Sequence, residues 1–478
     1  MSRPPPSVIV TLGSSQAEPD STYAPSRPAA LTWANRSTDA VTAMMAGNYG
    51  AASLSGRLAG LGKALLDRFA TDGSDFSQSV SATALAASGA HADTTFTIKT
   101  ASGVTVVLSL KSGDDGLAVT SRSNASLSDT ERAAVARLSG AFQKALDGMV
   151  ASPPKLDLGG LMDFDPKVLA SVDMKFDMAT DRSTPQTVAF HADSASRSIK
   201  TSGDLGTIDM SVDMRSAAIL GNPSQRAATI DNYLKQFDKA SSRGRADPVL
   251  MTMFKDAFTQ LNTIQDDGAS ALLKTPPRIP LSANDHAMLT GLADFRASVI
   301  QASSTPNPMR ADEKDGFSYQ VSQETQLGGR DASSRTISQR QRSQLTASFH
   351  GALSPDLSLM LTNDPKSQNY YYTQVDDSAD SQTDIAYRKG RLAQASVTQS
   401  ASQSTHQAKY IMGKLVEETT TPYARSGTRN LLGLLKPFED EGRALTRQRR
   451  SEWEQTLSSI HAGMGLQSDP SRIDVPRT

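Results

Sequence analysis

Phe317-Ser-Tyr-Gln-Val-Ser-Gln-Glu-Thr-Gln-Leu327 alternates apolar or amide side chains with short polar ones. After Gly328-Gly329-Arg330-Asp331, the run Ile337-Ser-Gln-Arg-Gln-Arg-Ser-Gln-Leu-Thr-Ala-Ser-Phe349 does the same. A period of two puts Phe317, Tyr319, Val321, Gln323, Thr325 and Leu327 on one face of a strand. Ile337, Gln339, Gln341, Ser343, Leu345, Ala347 and Phe349 then share a face on the return. The period persists to Tyr423, so a long-stranded antiparallel sheet is expected over 317–423. Polar side chains on both faces suit a sheet only half committed to a core, with a surface that binds, stacks or stays solvated.

Toward the C-terminus, Pro437 followed by Glu439, Asp440 and Glu441 opens a helix whose first-turn carboxylates complement its dipole. It is expected to run through Leu445, Trp453, Leu457 and Ile460 to about Gly463. Toward the N-terminus the period becomes helical. Pro223 starts a helix carried by Ile230, Leu234 and Phe237, and Leu250, Phe254, Phe258, Leu261 and Ile264 mark a second. Ser282 to Asp285 caps a third, with Leu289, Leu292, Phe295 and Val299 inside.

Further upstream, Thr95–Thr100, Val104–Leu110 and Leu117–Thr120 form a meander with turns at Ala101-Ser102-Gly103 and Gly113-Asp114-Asp115-Gly116. Strands are also expected near 186–192 and 206–213. Ser128-Asp129-Thr130-Glu131 is a capping box opening a helix over 129–148. Leu54, Leu58, Leu61, Leu65 and Phe69 make another helical face, and Gly56, Gly60 and Gly62 favour a break between two shorter helices over close helix packing. His91-Ala-Asp with Ile98-Lys-Thr-Ala-Ser-Gly103 echoes His191-Ala-Asp with Ile199-Lys-Thr-Ser-Gly203, and coincidence between two hairpins is favoured over duplication. The expected fold class is α+β. Its segments are a disordered tail over 1–35, rich in Pro and Ser; an α+β region with β-meanders over 36–215; a helical region over 216–301; and a long-stranded sheet closed by a helix over 302–478.

The chain of 478 residues has no cysteine, which excludes thiol nucleophiles, disulfides and Cys-type zinc or iron-sulfur sites. Its 49 basic and 50 acidic residues leave no global field to steer nucleic acid or anionic lipid. Apolar residues at 38% and aromatics at 5% allow a core with few large anchors. No run of 18 apolar residues occurs and no secretory signal is visible, so the default address is cytoplasmic, with signal-less export as the alternative.

Site chemistry is sparse. Gly56 to Lys63 has the wrong spacing for a phosphate loop and no hydroxyl residue after Lys63. Ser152-Pro-Pro-Lys155 cannot form the turn that Ser-x-x-Lys chemistry needs, and no Gly-x-Ser-x-Gly elbow exists. Asp376, Asp377, Ser378, Asp380 and Asp384 are read as a solvated turn between strands, lacking the glycine and glutamate of a calcium loop. Asp157, Asp163 and Asp165 are read as turn and cap residues. His91, His191, His286, His350, His406 and His461 each stand alone, and no residue is nominated as catalytic, no metal site and no cofactor expected.

Arg443, Arg447, Arg449 and Arg450 form a basic cluster beside Trp453, flanked by enough carboxylates for internal pairing. Tyr370, Tyr371 and Tyr372 offer rings to both faces of a strand. Tyr370, Tyr371, Tyr372, Arg443, Arg447, Arg450 and Trp453 are the candidate partner-binding residues. The expected function is a non-enzymatic interaction or structural protein, as in a secretion or surface assembly, with a protein partner and no nucleic acid. The alternative is a hydrolytic or carbohydrate-acting enzyme using carboxylates gathered from distant segments.

Overall fold

The computed structural model describes residues 31–35, 37–82, 90–114, 116–180, 184–264, 279–354, 356, 358–438 and 446–474. The first half contributes strands β1 (Leu31–Trp33), β2 (Phe76–Ala82), β3 (Ala90–Thr100), β4 (Thr105–Gly113), β5 (Gly116–Ser123), β6 (Leu169–Thr180), β7 (Gln186–Asp193), β8 (Ser196–Gly203) and β9 (Gly206–Asp213). The second contributes β10 (Asp294–Gln301), β11 (Gly316–Gly328), β12 (Thr336–Ala352), β13 (Tyr370–Arg388), β14 (Arg391–Ile411) and β15 (Lys414–Asn430). These fifteen strands of the described residues join one antiparallel sheet in the order β1-β2-β5-β4-β3-β6-β7-β8-β9-β10-β11-β12-β13-β14-β15. The fold is α+β, and the segments 36–215, 216–301 and 302–478 all feed this continuous sheet.

Among the described residues, α-helices cover one face. They are α1 (Ala40–Asn48), α2 (Leu54–Leu58), α3 (Leu61–Asp72), α4 (Asp129–Arg137), α5 (Ser139–Met149), α6 (Pro223–Gly244), α7 (Pro248–Asn262), α8 (Ala283–Ala287), α9 (Leu432–Leu435) and α10 (Arg447–Ala462). Under them, alternate strand residues make the core. Phe96 stacks on Phe142 at 4.3 Å, and Tyr233, Phe237, Phe254, Phe258, Phe295 and Tyr319 interlock edge to face. Aromatic pairs add to area burial, so a few rings organise a core poor in them.

The period-two reading of 317–349 holds, but the amides on its covered face are not solvated. Gln323, Gln339 and Gln341 are buried on the helix-covered face. Gln341 accepts from Tyr233 Oη (2.8 Å) and Leu466 N (3.0 Å) and donates to Met464 O (2.7 Å). Gln339 accepts from Thr290 N at 2.9 Å, and Gln323 accepts from Thr290 Oγ1 at 2.7 Å. Gln323 also donates to Leu292 O at 3.1 Å, so each amide satisfies a backbone group, as buried polar groups require.

Other expectations are corrected. The third helix is the single turn α8; Phe295 and Val299 lie on β10, where alternation against β9 and β11 overrides a 3.6-residue spacing. The helix over 129–148 is two, parted at Leu138 before Ser139-Gly140. The tail over 1–35 ends in order, because Leu31–Trp33 pair with Val80–Ala82 as an edge strand; residues 1–30 lie outside the described residues. The closing helix begins at Arg447, and Glu439, Asp440 and Glu441 lie outside the described residues. The break between α2 and α3 falls at Gly60, whose φ of +71° suits glycine. In the His-Ala-Asp echo, His91 and Ile98 share β3, whereas a turn separates His191 on β7 from Ile199 on β8. The two stretches therefore fold differently.

Candidate functional site on the open face

Among the described residues, the opposite face of the sheet carries no α-helix. From β9 to β15 one row in register reads Ser211, Arg296, Ser322, Arg342, Asp380, Ser400 and Ser426. The same row continues through Ser198, His191, Asp173 and Thr97 toward β3. Short hydroxyl side chains alternate with charges, and the face dips into a depression of about 1120 Å³ that the β9–β15 part of the row shares with Asp209, Gln320, Glu324, Gln344 and Ser378. A second depression of about 710 Å³ lies over β2 to β7. The strand period alone produces this surface, because every second residue of an apolar-polar alternation faces away from the helices.

Charges on the open face are mostly paired. Asp380 accepts from Arg340 Nε at 2.7 Å and from Arg342 Nε at 3.2 Å, and Lys200 meets Asp209 at 3.3 Å. His191 sits between Asp173 (Nδ1, 2.6 Å) and Asp193 (Nε2, 3.3 Å). Burial pulls this imidazole down, but hydrogen bonds and charge from the two aspartates outweigh it and hold its pKa above the usual value.

The aspartate cluster is not a loop. Asp376, Asp377, Asp380 and Asp384 lie along β13, where side chains alternate between faces. Asp377 turns under the helices and takes a bidentate contact from Arg243 of α6, with Nη2 to Oδ1 at 2.8 Å. Asp384 accepts from Ser338 Oγ at 2.9 Å. Asp165 accepts from Lys167 N at 2.9 Å, as a turn residue does. Gly56 to Lys63 spans α2 and the start of α3, and Lys63 pairs with Asp67 one turn on.

One end of the open face is roofed by segments 304–315 and 358–369, and here the tyrosines divide. Tyr370 is fully buried, stacks on Tyr410 at 4.8 Å and donates to Glu313 Oε2 at 2.7 Å. Burial raises its pKa, with the Glu313 hydrogen bond and charge adding to the effect. Tyr372 packs on His350 and donates to Lys314 O at 3.1 Å, while Tyr371 lies half-buried near Lys409. Tyr370 is therefore core, because the roof covers a face that sequence leaves open. His350, read as isolated, meets Asp315 through Nδ1 at 2.6 Å and Glu313 through Nε2 at 3.1 Å. Its partners lie more than thirty residues away, beyond any local spacing rule.

The remaining candidates sit elsewhere. Arg447 and Arg450 are exposed on α10, Arg443 lies outside the described residues, and Trp453 donates through Nε1 to Asn284 of α8 at 2.9 Å. Trp453 thus helps dock α10 on its own protein. Among the described residues, no group of three or more His, Asp or Glu side chains is placed to hold a metal ion, and no helix is long and apolar enough to cross a membrane. The sequence matches no family model and no curated protein, and no solved structure matches the chain.

Proposed function

We propose that this chain is a non-enzymatic binding protein whose open sheet face is its recognition surface, serving as a component of a secretion or surface assembly. The observation that carries the reading is the depression of about 1120 Å³, on a face that carries no α-helix among the described residues, lined by in-register Ser, Gln, Arg and Asp side chains. Hydroxyls and amides both donate and accept, so such a floor matches a polar protein surface without a deep apolar pocket. Mixed and largely paired charge opposes nucleic acid, which needs a basic field.

The test is a bulky plug: Ser378→Trp in the lining of the depression, on an exposed strand position that tolerates an aromatic. Affinity purification from the native host should lose the specifically bound component while the melting temperature stays put. Retention of that component by the folded variant would remove the reading.

A hydrolytic enzyme is the second reading, favoured by the convergence of Asp209, Glu324 and Asp380, from distant segments, on the same depression. Against it, Asp209 and Asp380 are tied to Lys200, Arg340 and Arg342. Turnover of chromogenic glycosides that Glu324→Gln abolishes would favour this second reading.

A further inference from the structure

Among the described residues, eleven large apolar side chains are exposed, and six belong to one end of the sheet: Met309, Met360, Ile411, Met412, Leu415 and Val416. Four come from the β14–β15 hairpin tip and one from each roofing segment. Polar contacts tie these three pieces together. Arg310 lies over the Tyr410 ring at 4.4 Å and donates to Gly413 O at 3.4 Å, and Leu359 and Leu361 pack against Tyr370 and Tyr410. Met360, at 74% exposure, stands between those two packed leucines with its own side chain outward.

The backbone at this tip is prepared to leave water. Met412 and Gly413 form a two-residue turn with φ of +48° and +74°. A solvent-facing turn can leave its outward groups to water, but here the protein supplies partners. Met412 N donates to Asn369 Oδ1 at 2.9 Å, Gly413 N donates to Gln368 O at 2.9 Å, and Arg310 covers the Gly413 carbonyl. Internal satisfaction of backbone groups is what an apolar surrounding demands.

From this we infer that the β14–β15 tip, with Met309 and Met360, inserts shallowly into the interfacial region of a lipid bilayer. The tip projects as a turn, and its exposed side chains are aliphatic or thioether, unlike the Trp, Tyr and Arg anchors that dominate protein interfaces. Its acids are engaged nearby: Glu417 faces Lys409 at 4.0 Å, Glu418 meets His406 at 2.9 Å, and Asp364 caps Lys366 N at 2.9 Å. Lys366 and Lys414 are exposed, on long stems that can reach lipid headgroups, while Asp312 and Asp356 are also exposed. Apolar burial, rather than net charge, therefore drives the contact.

The test is flotation of the full chain with phosphatidylcholine vesicles, with and without phosphatidylserine. The wild type floats with both, and Met360→Asp with Met412→Asp lowers the vesicle-bound fraction at least about tenfold. The replaced side chains are exposed, so the melting temperature should not move. Three results would overturn the inference: wild type remaining with the aqueous phase, binding that requires phosphatidylserine and ignores the substitutions, or self-association that the same substitutions abolish without any vesicle binding.

Discussion

Glu131 shows how a sequence-legible motif acquires a partner that sequence conceals. Its capping box with Ser128 is present, with Ser128 N donating to Oε2 at 2.8 Å. Its other oxygen accepts from Ser102 Oγ at 2.5 Å, which ties α4 to the β3–β4 turn. The Ser102 hydrogen bond, followed by those from Ser128, lowers the Glu131 pKa to about 2. A depressed carboxylate contributes stability above its unfolded value, and that contribution is lost as pH falls from about 4.5 toward 2. Glu131→Gln should therefore cost about 1–3 kcal/mol at neutral pH, with the deficit shrinking below pH about 4; denaturant melts across pH check this. A deficit that is constant with pH would contradict the ionic account. The same limit governs Tyr370 and His350. Alternation places Tyr370 on the open face, but only the folded chain reveals the roof that buries it.

At the scale of elements, Gly62 combines two roles that the sequence sets against each other. The helical face breaks near it, at Gly60, and Gly62 also lets α3 approach α5 closely. A Cβ there would lie 2.6 Å from Leu146 Cδ1 and 3.1 Å from the Phe142 ring, both buried. Gly62→Ala should destabilise by about 1–3 kcal/mol despite its better helix propensity. Gly140 in α5 has open space around its would-be Cβ, so Gly140→Ala should stabilise by about 0.5–1 kcal/mol. Equal signs in chemical denaturation would refute this assignment. The meander 95–120, α6 and the C-terminal strands were legible because each repeats its period over several residues. β10 was not: Phe295 and Val299 fit a helical spacing, and their strand partners lie far along the chain on β9 and β11.

For the whole molecule, the α+β class and the long antiparallel strands were open to reading, whereas the union of all fifteen strands into one sheet was not. Pairing such as β3 with β6 or β9 with β10 joins segments separated by helices, and local patterns carry no signal for it. The polar surface was anticipated with its faces mixed. Buried glutamines serve the covered side, and serines, threonines and paired charges make the open one. The absence of native cysteine permits a direct measurement of that division. Single cysteines at Ser322, Ser378 and Ser400 on the open face, at buried Ser381, and at exposed Ser459 on α10 would be labelled with maleimide, both in purified protein and in intact host cells. The three face positions and Ser459→Cys should label rapidly in purified protein, Ser381→Cys should stay silent until unfolding, and in cells the three face positions alone should be protected. Equal reactivity of the face cysteines in cells and in purified protein would contradict an open face that exists to be occupied.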